Sequence, residues 1–173
     1  MKFFSANLDS LRKLYFDQLQ QLHSAETQIT EALPKMIQSA TEPQLKNALQ
    51  THLQETKGHV ARLEQILNEA KGSVDSKKSK GMAALITEGE DVIKDAADQS
   101  VRDAGIIAAA QKVEHYEIAA YGTVRQFAWV LGENAAAGVL DMTLKEEGQA
   151  DHLLTSIAER INVHAKHAHT TVA

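Results

Sequence analysis

Four stretches of this sequence repeat apolar residues every three or four positions, and each repeat is interrupted near its middle by an acidic residue. A repeat of this kind predicts an amphipathic helix whose apolar stripe faces a core. The interrupting residues stand where leucine or isoleucine is expected: Glu26, Glu55, Glu117 and Glu147. The sequence therefore predicts four carboxylates inside a helical protein.

The first two stripes predict two long helices joined by a short link. Helix one starts near Asn7, a candidate N-cap, and runs to about Gln38. Helix two opens where Thr41 and Gln44 have the spacing of a capping box, and it stops around residues 71–72. Because the link is short, we expect these helices to be antiparallel neighbours.

The other two stripes predict a second pair of long helices. Helix three starts near Ser100, with Asp103 as its capping partner, and ends before residue 131. Helix four carries the apolar stripe from Leu140 to Ala158. This pair is also joined by a short link and is expected to be antiparallel.

A long connection separates the two pairs. Residues 72–81 are rich in serine, lysine and glycine and predict a loop, and residues 81–98 predict a short amphipathic helix. One long crossover between the middle helices is the connectivity of ferritin-like bundles. The sequence therefore predicts an all-α, ferritin-like four-helix bundle with a short extra helix in the crossover. We expect a single domain over residues 1–163 and a flexible tail over residues 164–173.

The composition limits the sites and partners of this protein. It has no cysteine, which excludes disulfides, zinc–thiolate sites, iron–sulfur clusters and cysteine nucleophiles. No stretch approaches the roughly 18 apolar residues of a spanning helix, and the start lacks the apolar core of a signal peptide. We therefore expect a cytoplasmic protein with no membrane partner. The formal net charge of −5 at pH 7 argues against binding nucleic acid.

The interior carboxylates need something to neutralise them. Burying one unpaired carboxylate costs several kcal/mol, and burying five or six would exceed the ~5–15 kcal/mol stability of a whole domain. The basic residues nearby do not lie on the stripes: Lys57, Arg62, Lys112 and Arg125. Two divalent metal ions would cancel four carboxylates, as in di-iron and di-manganese bundles. Oxygen-rich coordination with one or two imidazoles suits iron or manganese.

Other polar residues share the helix faces of these carboxylates, since Glu114, His59 and Asp151 each lie within about one turn of a stripe glutamate. The predicted metal ligands are Glu26, Glu55, His59, Glu114, Glu117, Glu147 and Asp151. His52 and His59 could each be a ligand or a hydrogen-bond donor to one. Tyr121 could donate a hydrogen bond to a carboxylate or only pack. His115 points away from the face of Glu117 and is not expected to be a ligand.

Four segments resemble the YciE/YciF family of bacterial ferritin-like stress proteins. They are LHSAETQITEALPKM, HLQETKGHVARLEQIL, RDAGIIAAAQKVEHYEIAAYGT and LKEEGQADHLLTSIA. The resemblance covers nearly the whole chain, and its third segment is long and specific. It implies a four-helix ferritin-like bundle, a homodimer, a di-metal site and a role in bacterial stress responses.

The resemblance also implies a ligand pattern, from which this chain departs twice. The broader ferritin-like pattern has glutamates at the positions of Glu26, Glu55, Glu114 and Glu147. The additional Glu117 is similar to the doubled glutamate of rubrerythrin-like helices. Gly58 and Ala150 stand where the pattern has histidines. His59 and Asp151, each one position later, are the candidate substitutes.

Three functions remain open from the sequence. The first is redox chemistry at two iron or manganese ions, with peroxide or O₂ as substrate and a peroxidase- or catalase-like role. The second is a metal-stabilised stress protein without enzymatic activity that binds a partner, with Phe3, Phe4 and Trp129 as candidates for a dimer surface. The third is iron storage or DNA protection, and the acidic charge and lack of a basic N-terminal arm make DNA binding the least favoured.

Overall fold

The computed structural model describes residues 8–70 and 78–168, which contain five helices and no strand. The helices are α1 (Leu11–Ser39), α2 (Pro43–Glu69), α3 (Lys80–Asp95), α4 (Gln99–Val130) and α5 (Asn134–Lys166). The short α3 is the predicted extra helix of the crossover, and the other four are the predicted long helices. The all-α class is confirmed. Most of the loop predicted over residues 72–81 lies outside the described residues.

Two apolar clusters, one at each end of the bundle, show the directions of the long helices. The first cluster joins the starts of α1 and α5 to the ends of α2 and α4, and it includes Tyr15, Leu63, Val124 and Leu140. The second joins the opposite helix ends, and it includes Leu33, Leu45, Ile106 and Ile157. α1 and α5 therefore run in one direction and α2 and α4 in the other, which is the predicted ferritin-like connectivity.

The caps of the first two helices differ from the expectation. α1 begins at Leu11, because the Ser10 side chain accepts a hydrogen bond from the Lys13 N–H. Asn7, the predicted cap, lies outside the described residues. α2 is capped by Glu42, whose carboxylate accepts from the Leu45 N–H at 2.7 Å. The capping box predicted from Thr41 is therefore wrong, and the Thr41 hydroxyl donates to Asp103 instead.

The start of α4 holds the turn between α1 and α2. Asp98 caps α4 by accepting from the N–H groups of Ser100 and Val101, so Asp103 is not the capping partner. The buried Asp103 carboxylate instead accepts from the Thr41 N–H, the Thr41 hydroxyl and the Glu42 N–H at 2.6–2.9 Å. Asp103 thus ties α4 to the beginning of α2.

α5 ends later than the sequence indicates. Its apolar stripe stops at Ile161, but the helix continues to Lys166, beyond the predicted start of a flexible tail at residue 164. Residues 169–173 of that tail lie outside the described ranges. Within the described parts of the chain, none of the helices has the length and apolarity needed to cross a membrane.

α3 lies so close to α4 that one contact leaves no room for a side chain. A Cβ atom at Gly105 would lie 2.2 Å from Cγ1 of Val92. Replacing Gly105 by alanine should therefore lower the free energy of unfolding by about 1–3 kcal/mol, measured by thermal or denaturant unfolding. Gly138→Ala is the matched control, since nothing lies within 4 Å of the added Cβ. A Gly105→Ala variant as stable as the unmodified protein would contradict this packing of α3 on α4.

Candidate metal centre

A layer of acidic and imidazole side chains crosses the middle of the bundle, between the two apolar clusters. This buried cluster consists of Glu26 from α1, His52 and His59 from α2, Glu114 and Glu117 from α4, and Glu147 from α5. Among the described residues, no lysine or arginine forms an ion pair with any of its four carboxylates. The interior acids predicted on α1, α4 and α5 are therefore present. Within the described residues their ion pairs are with His52 and His59, at 3.0–3.4 Å, and not with lysine or arginine.

The buried cluster divides into two groups that share one glutamate. The His52 group comprises His52, Glu114, Glu117 and Glu147, and the His59 group comprises Glu26, His59 and Glu147. In each group, one potential ligand atom from every residue lies within 4.8 Å of the others. Glu147 belongs to both groups, so it is the one carboxylate of the cluster that could serve two ions.

Most polar atoms of the buried cluster make no hydrogen bond within the described residues. Within the described residues, the unpartnered atoms are Oε2 of Glu26, Oε2 of Glu114, both oxygens of Glu117 and Glu147, both ring nitrogens of His52 and Nδ1 of His59. A buried polar atom with no partner costs about 1–3 kcal/mol. Such a set of oxygen and imidazole ligands fits iron or manganese, and metal coordination would satisfy these atoms together.

Burial and mutual repulsion shift the protonation of the carboxylates. Burial raises the pKa of Glu114 to about 8, even though the nearby His52 acts in the opposite direction. Burial raises the pKa of Glu117 well above its ordinary value, and the charges of Glu26 and Glu147 raise it further. Without metal, Glu114 would therefore hold its proton at neutral pH, and a bound ion would displace that proton.

The two histidines respond to the same carboxylates. Burial lowers the pKa of His52, but Glu55 and Glu114 outweigh burial and raise it to about 9. Burial likewise lowers the pKa of His59, but Glu147 and Glu26 raise it to about 11. The metal-free cluster thus favours charged imidazoles, which a metal ion would have to convert to neutral ligands.

Tyr121 is buried beside the His59 group. Its hydroxyl donates a hydrogen bond to Oε1 of Glu26, and its ring lies edge-on to the imidazole of His59 with centroids 6.3 Å apart. Of the two roles that the sequence left open, the structure shows the donor role. The bond leaves Oε2 of Glu26 unpartnered.

A pair of charged residues outside the buried cluster orients His59. Nε2 of His59 lies 2.8 Å from Oε2 of Glu146. Arg62 holds Glu146 with two hydrogen bonds of 2.5 and 3.0 Å. Donation from Nε2 to Glu146 directs Nδ1 toward the oxygens of Glu147 and Glu26, at 3.0 and 3.4 Å. Carboxylates that hold a ligating histidine in this way set its tautomer and raise its basicity.

Glu146→Gln should weaken metal binding without removing a ligand. The glutamine can still face His59, but it loses the charge that Arg62 and the imidazole require. We expect affinity for Fe(II) or Mn(II) to fall about 10–100-fold, measured by competition with a chelator at fixed pH. Glu88→Gln, which breaks the exposed 2.8 Å pair with Lys112, is the matched control. Affinity within about twofold of the unmodified protein would show that Glu146 does not position His59.

The structure brings five of the seven predicted ligands together and leaves two apart. Glu55 is half-exposed, with 39% of its side chain accessible, and lies 3.8 Å from Nδ1 of His52. Its predicted place on the core face is wrong, because Thr56 occupies that face one position later. Asp151 is 18% exposed and accepts a hydrogen bond from Gln111 at 3.1 Å. His115, 68% exposed, lies on the outside of α4, as expected.

His52 and Glu146 are the functional candidates that the predicted ligand set lacked. His52 and His59 are seven residues apart, two helical turns, so both fall on one face of α2. That spacing is visible in the sequence and is the signal for a two-histidine helix. Glu146 carries no comparable signal, since it adjoins a stripe glutamate and its role depends on the distance between α2 and α5.

Residues 10–166, which include all five helices, match the protein family described as a domain of unknown function, DUF892. The chain belongs to the DUF892 family. It is 40% identical over 153 residues to Protein YciF of Escherichia coli strain K12, covering 88% of this chain and 92% of YciF. The resemblance to YciE/YciF proteins is confirmed by this similarity.

Solved structures share the DUF892 fold of this chain. The crystal structure of the E. coli stress protein YciF has a TM-score of 0.85 at 39% identity and covers 88% of this chain and 97% of its own. YcfI from Rhodopseudomonas palustris has a TM-score of 0.85 at 38% identity, with coverage of 88% and 98%. A protein from Xanthomonas campestris has a TM-score of 0.73 at 21% identity, with coverage of 89% and 94%, and shows the fold alone.

Proposed function

We propose that this protein binds two iron or manganese ions in the buried cluster and uses them to react with peroxide or O₂ during bacterial stress. The observation that carries the proposal is Glu147, which is fully buried and belongs to both candidate ligand groups. Neither of its oxygens makes a hydrogen bond among the described residues, although Nδ1 of His59 lies 3.0 Å from one of them. The similarity to a protein described as an E. coli stress protein supports the physiological setting.

The charges of the buried cluster match two divalent ions. Its four carboxylates carry four negative charges when ionised, and two divalent ions carry four positive charges. The His52 group offers one imidazole and three carboxylates, and the His59 group offers one imidazole and two carboxylates. Each ion would therefore have three or four protein ligands and room for an exogenous one.

Two redox-active ions about 3.5–4 Å apart can exchange two electrons with a peroxide or O₂ in one encounter. The protein's own residues would prepare that encounter. Glu147 would hold the two positions together, Glu146 would keep Nδ1 of His59 directed inward, and Tyr121 would hold a proton at Oε1 of Glu26. The apolar clusters on both sides of the layer would limit water at the centre.

The proposal is tested by metal content and peroxide consumption in the same samples. Protein purified without a histidine tag should contain about two iron or manganese ions per chain and should consume hydrogen peroxide. Glu114→Gln should lower both metal content and peroxide consumption, since it removes a ligand from the His52 group. Glu159→Gln, on the exposed side of α5, should leave both unchanged. A metal-free protein that consumed peroxide as fast as the loaded one would refute the proposal.

A second function, binding of a stress partner without catalysis, has one observation in its favour. Trp129 and Val130, adjacent at the end of α4, are 67% and 65% exposed. An apolar pair this exposed suits a protein contact, including the predicted homodimer. Under this alternative the loaded protein would consume no peroxide, and Glu114→Gln would lower its melting temperature without abolishing the partner interaction.

A further inference from the structure

A cleft of about 170 Å³ lies between α2 and α5 beside one half of the metal centre. Its floor is formed by buried side chains, among them Leu49, His52, Glu114 and Leu154. Its rim carries side chains that are partly accessible, among them Glu55 from α2 and Leu153 from α5, which are 39% and 48% exposed. The cleft therefore runs from the surface to two members of the buried cluster.

The cleft reaches only one of the two candidate metal positions. His52 and Glu114 line it, whereas no member of the His59 group does. Both ring nitrogens of His52 and Oε2 of Glu114 are buried without hydrogen-bond partners, so the inner end of the cleft offers unsatisfied polar atoms. A molecule entering from solvent would meet the centre at the His52 group, while Glu26 and His59 remain enclosed.

The rest of the cleft is lined largely by hydrocarbon. Ala48 and Leu49 on one side face Ala150, Leu153 and Leu154 on the other. A protein cavity of about 150 Å³ holds a benzene molecule, so this cleft has room for a ligand of roughly six non-hydrogen atoms. Hydrogen peroxide would leave most of that apolar space filled by water. A ligand with an oxygen headgroup and a short hydrocarbon chain would fill it.

The charges around the cleft favour a neutral ligand. The carboxylates of Glu55 and Glu146 both border it, and Glu146 is already paired with Arg62. Either carboxylate would repel an anion approaching the polar end. An organic hydroperoxide is neutral at physiological pH, carries its oxygens at one end and has a hydrocarbon chain at the other.

We propose that the cleft between α2 and α5 binds small organic hydroperoxides in preference to hydrogen peroxide, with the oxygen end at His52 and Glu114. This inference rests on the proposed function and names its substrate class. Reduction breaks the O–O bond and yields an alcohol and water. In a single turnover, two bound divalent ions would supply the two electrons by oxidation to the trivalent state, and solvent would supply the two protons.

Unreactive straight-chain alcohols test binding apart from catalysis. In Mn(II)-loaded protein of measured metal content, affinity measured by calorimetry should rise about fourfold for each CH₂ group from ethanol to pentanol. Ala150→Phe should remove this dependence by filling the cleft. Ala119→Phe places the same side chain on the exposed face of α4 and should retain the dependence. Single-turnover loss of tert-butyl hydroperoxide should slow at least tenfold in Ala150→Phe, and by a clearly larger factor than loss of hydrogen peroxide, whereas Ala119→Phe should slow neither.

The outcomes separate this inference from the function on which it rests. Protein that holds two ions and consumes hydrogen peroxide, but binds ethanol and pentanol equally, would overturn the proposed ligand of the cleft and leave the proposed function intact. An Ala150→Phe variant that keeps the chain-length dependence would do the same. Protein that takes up no metal, or takes it up and consumes no peroxide, would overturn both.

Discussion

Replacing Glu147 by glutamine should remove both metal ions at once. Glu147 is the residue that the His52 and His59 groups share, so its loss takes a ligand and a charge from each. Glutamine has nearly the same size, and the bundle should still form. We expect metal content to fall from about two ions per chain to near zero, and affinity to fall at least about 100-fold, more than for loss of a residue that only orients a ligand.

Two further variants, one on α4 and one on α5, make this prediction specific. Glu114→Gln affects the His52 group only, so at saturating metal it should lower the content toward one ion per chain. Glu159→Gln lies on the same helix as Glu147 but at its exposed surface, and it should retain two ions. Elemental analysis after dialysis measures all three. If Glu147→Gln kept two ions, Glu147 would not be shared between them.

Metal-free protein should lose stability as the pH rises from about 5 to about 9. In the folded state the pKa of Glu114 is raised from 4.5 to about 8, and the pKa values of His52 and His59 are raised from 6.5 to about 9 and about 11. Between the unfolded and folded values, the folded protein binds more protons than the unfolded one, so its stability falls with rising pH. One extra proton corresponds to about 1.4 kcal/mol per pH unit.

Bound metal should reverse this trend. Ions replace the protons of the buried cluster, so their affinity rises with pH and the stability they add is largest where the metal-free protein is weakest. In thermal unfolding, the metal-free melting temperature should fall by about 3–6 °C per pH unit for each net proton, and the gap to the loaded protein should widen. Arg62 lowers the pKa of Glu146 in the folded protein, so protonation of Glu146 below about pH 4.5 lowers the stability as the pH falls. The melting temperatures are therefore compared only above pH 5.

Glu114→Gln provides the control for this pH dependence. It removes one group with a raised pKa, so the metal-free slope between pH 5 and 8 should become shallower. The exposed Glu159→Gln should leave the slope unchanged. A metal-free protein whose melting temperature rises from pH 5 to pH 9 would contradict the buried, proton-holding cluster.

Helical periodicity was sufficient to predict three of the four glutamates that interrupt the stripes. Glu26, Glu117 and Glu147 are fully buried. In α1, α4 and α5 the apolar residues before and after each glutamate define a single helix face for the stripe, and the glutamate lies on that face. In α2 the residue that follows His52 on the core face could be Glu55, three positions later, or Thr56, four positions later. The helix takes the step of four, which continues to His59 and Leu63 and leaves Glu55 at the rim.

Contacts between helices were beyond what periodicity could predict. The pairing of Arg62 with Glu146 depends on how closely α2 approaches α5, and neither residue lies on an apolar stripe. Asp103 has the sequence spacing of a cap, yet it bonds to Thr41 across the end of the bundle because the start of α4 meets the turn before α2. The histidines expected at Gly58 and Ala150 are absent from the sequence. In the buried cluster both imidazoles come from α2, and α4 contributes two carboxylates.

The central claim is that two metal ions neutralise the carboxylates in the middle of the bundle. Anomalous X-ray diffraction at the iron and manganese absorption edges, from crystals grown with both metals in excess, tests it most directly. The account predicts two anomalous peaks on either side of Glu147, about 3.5–4 Å apart, one beside His52 and the other beside His59. Maps without a peak there, with Glu26, Glu117 and Glu147 turned to solvent or paired with lysine or arginine, would contradict it.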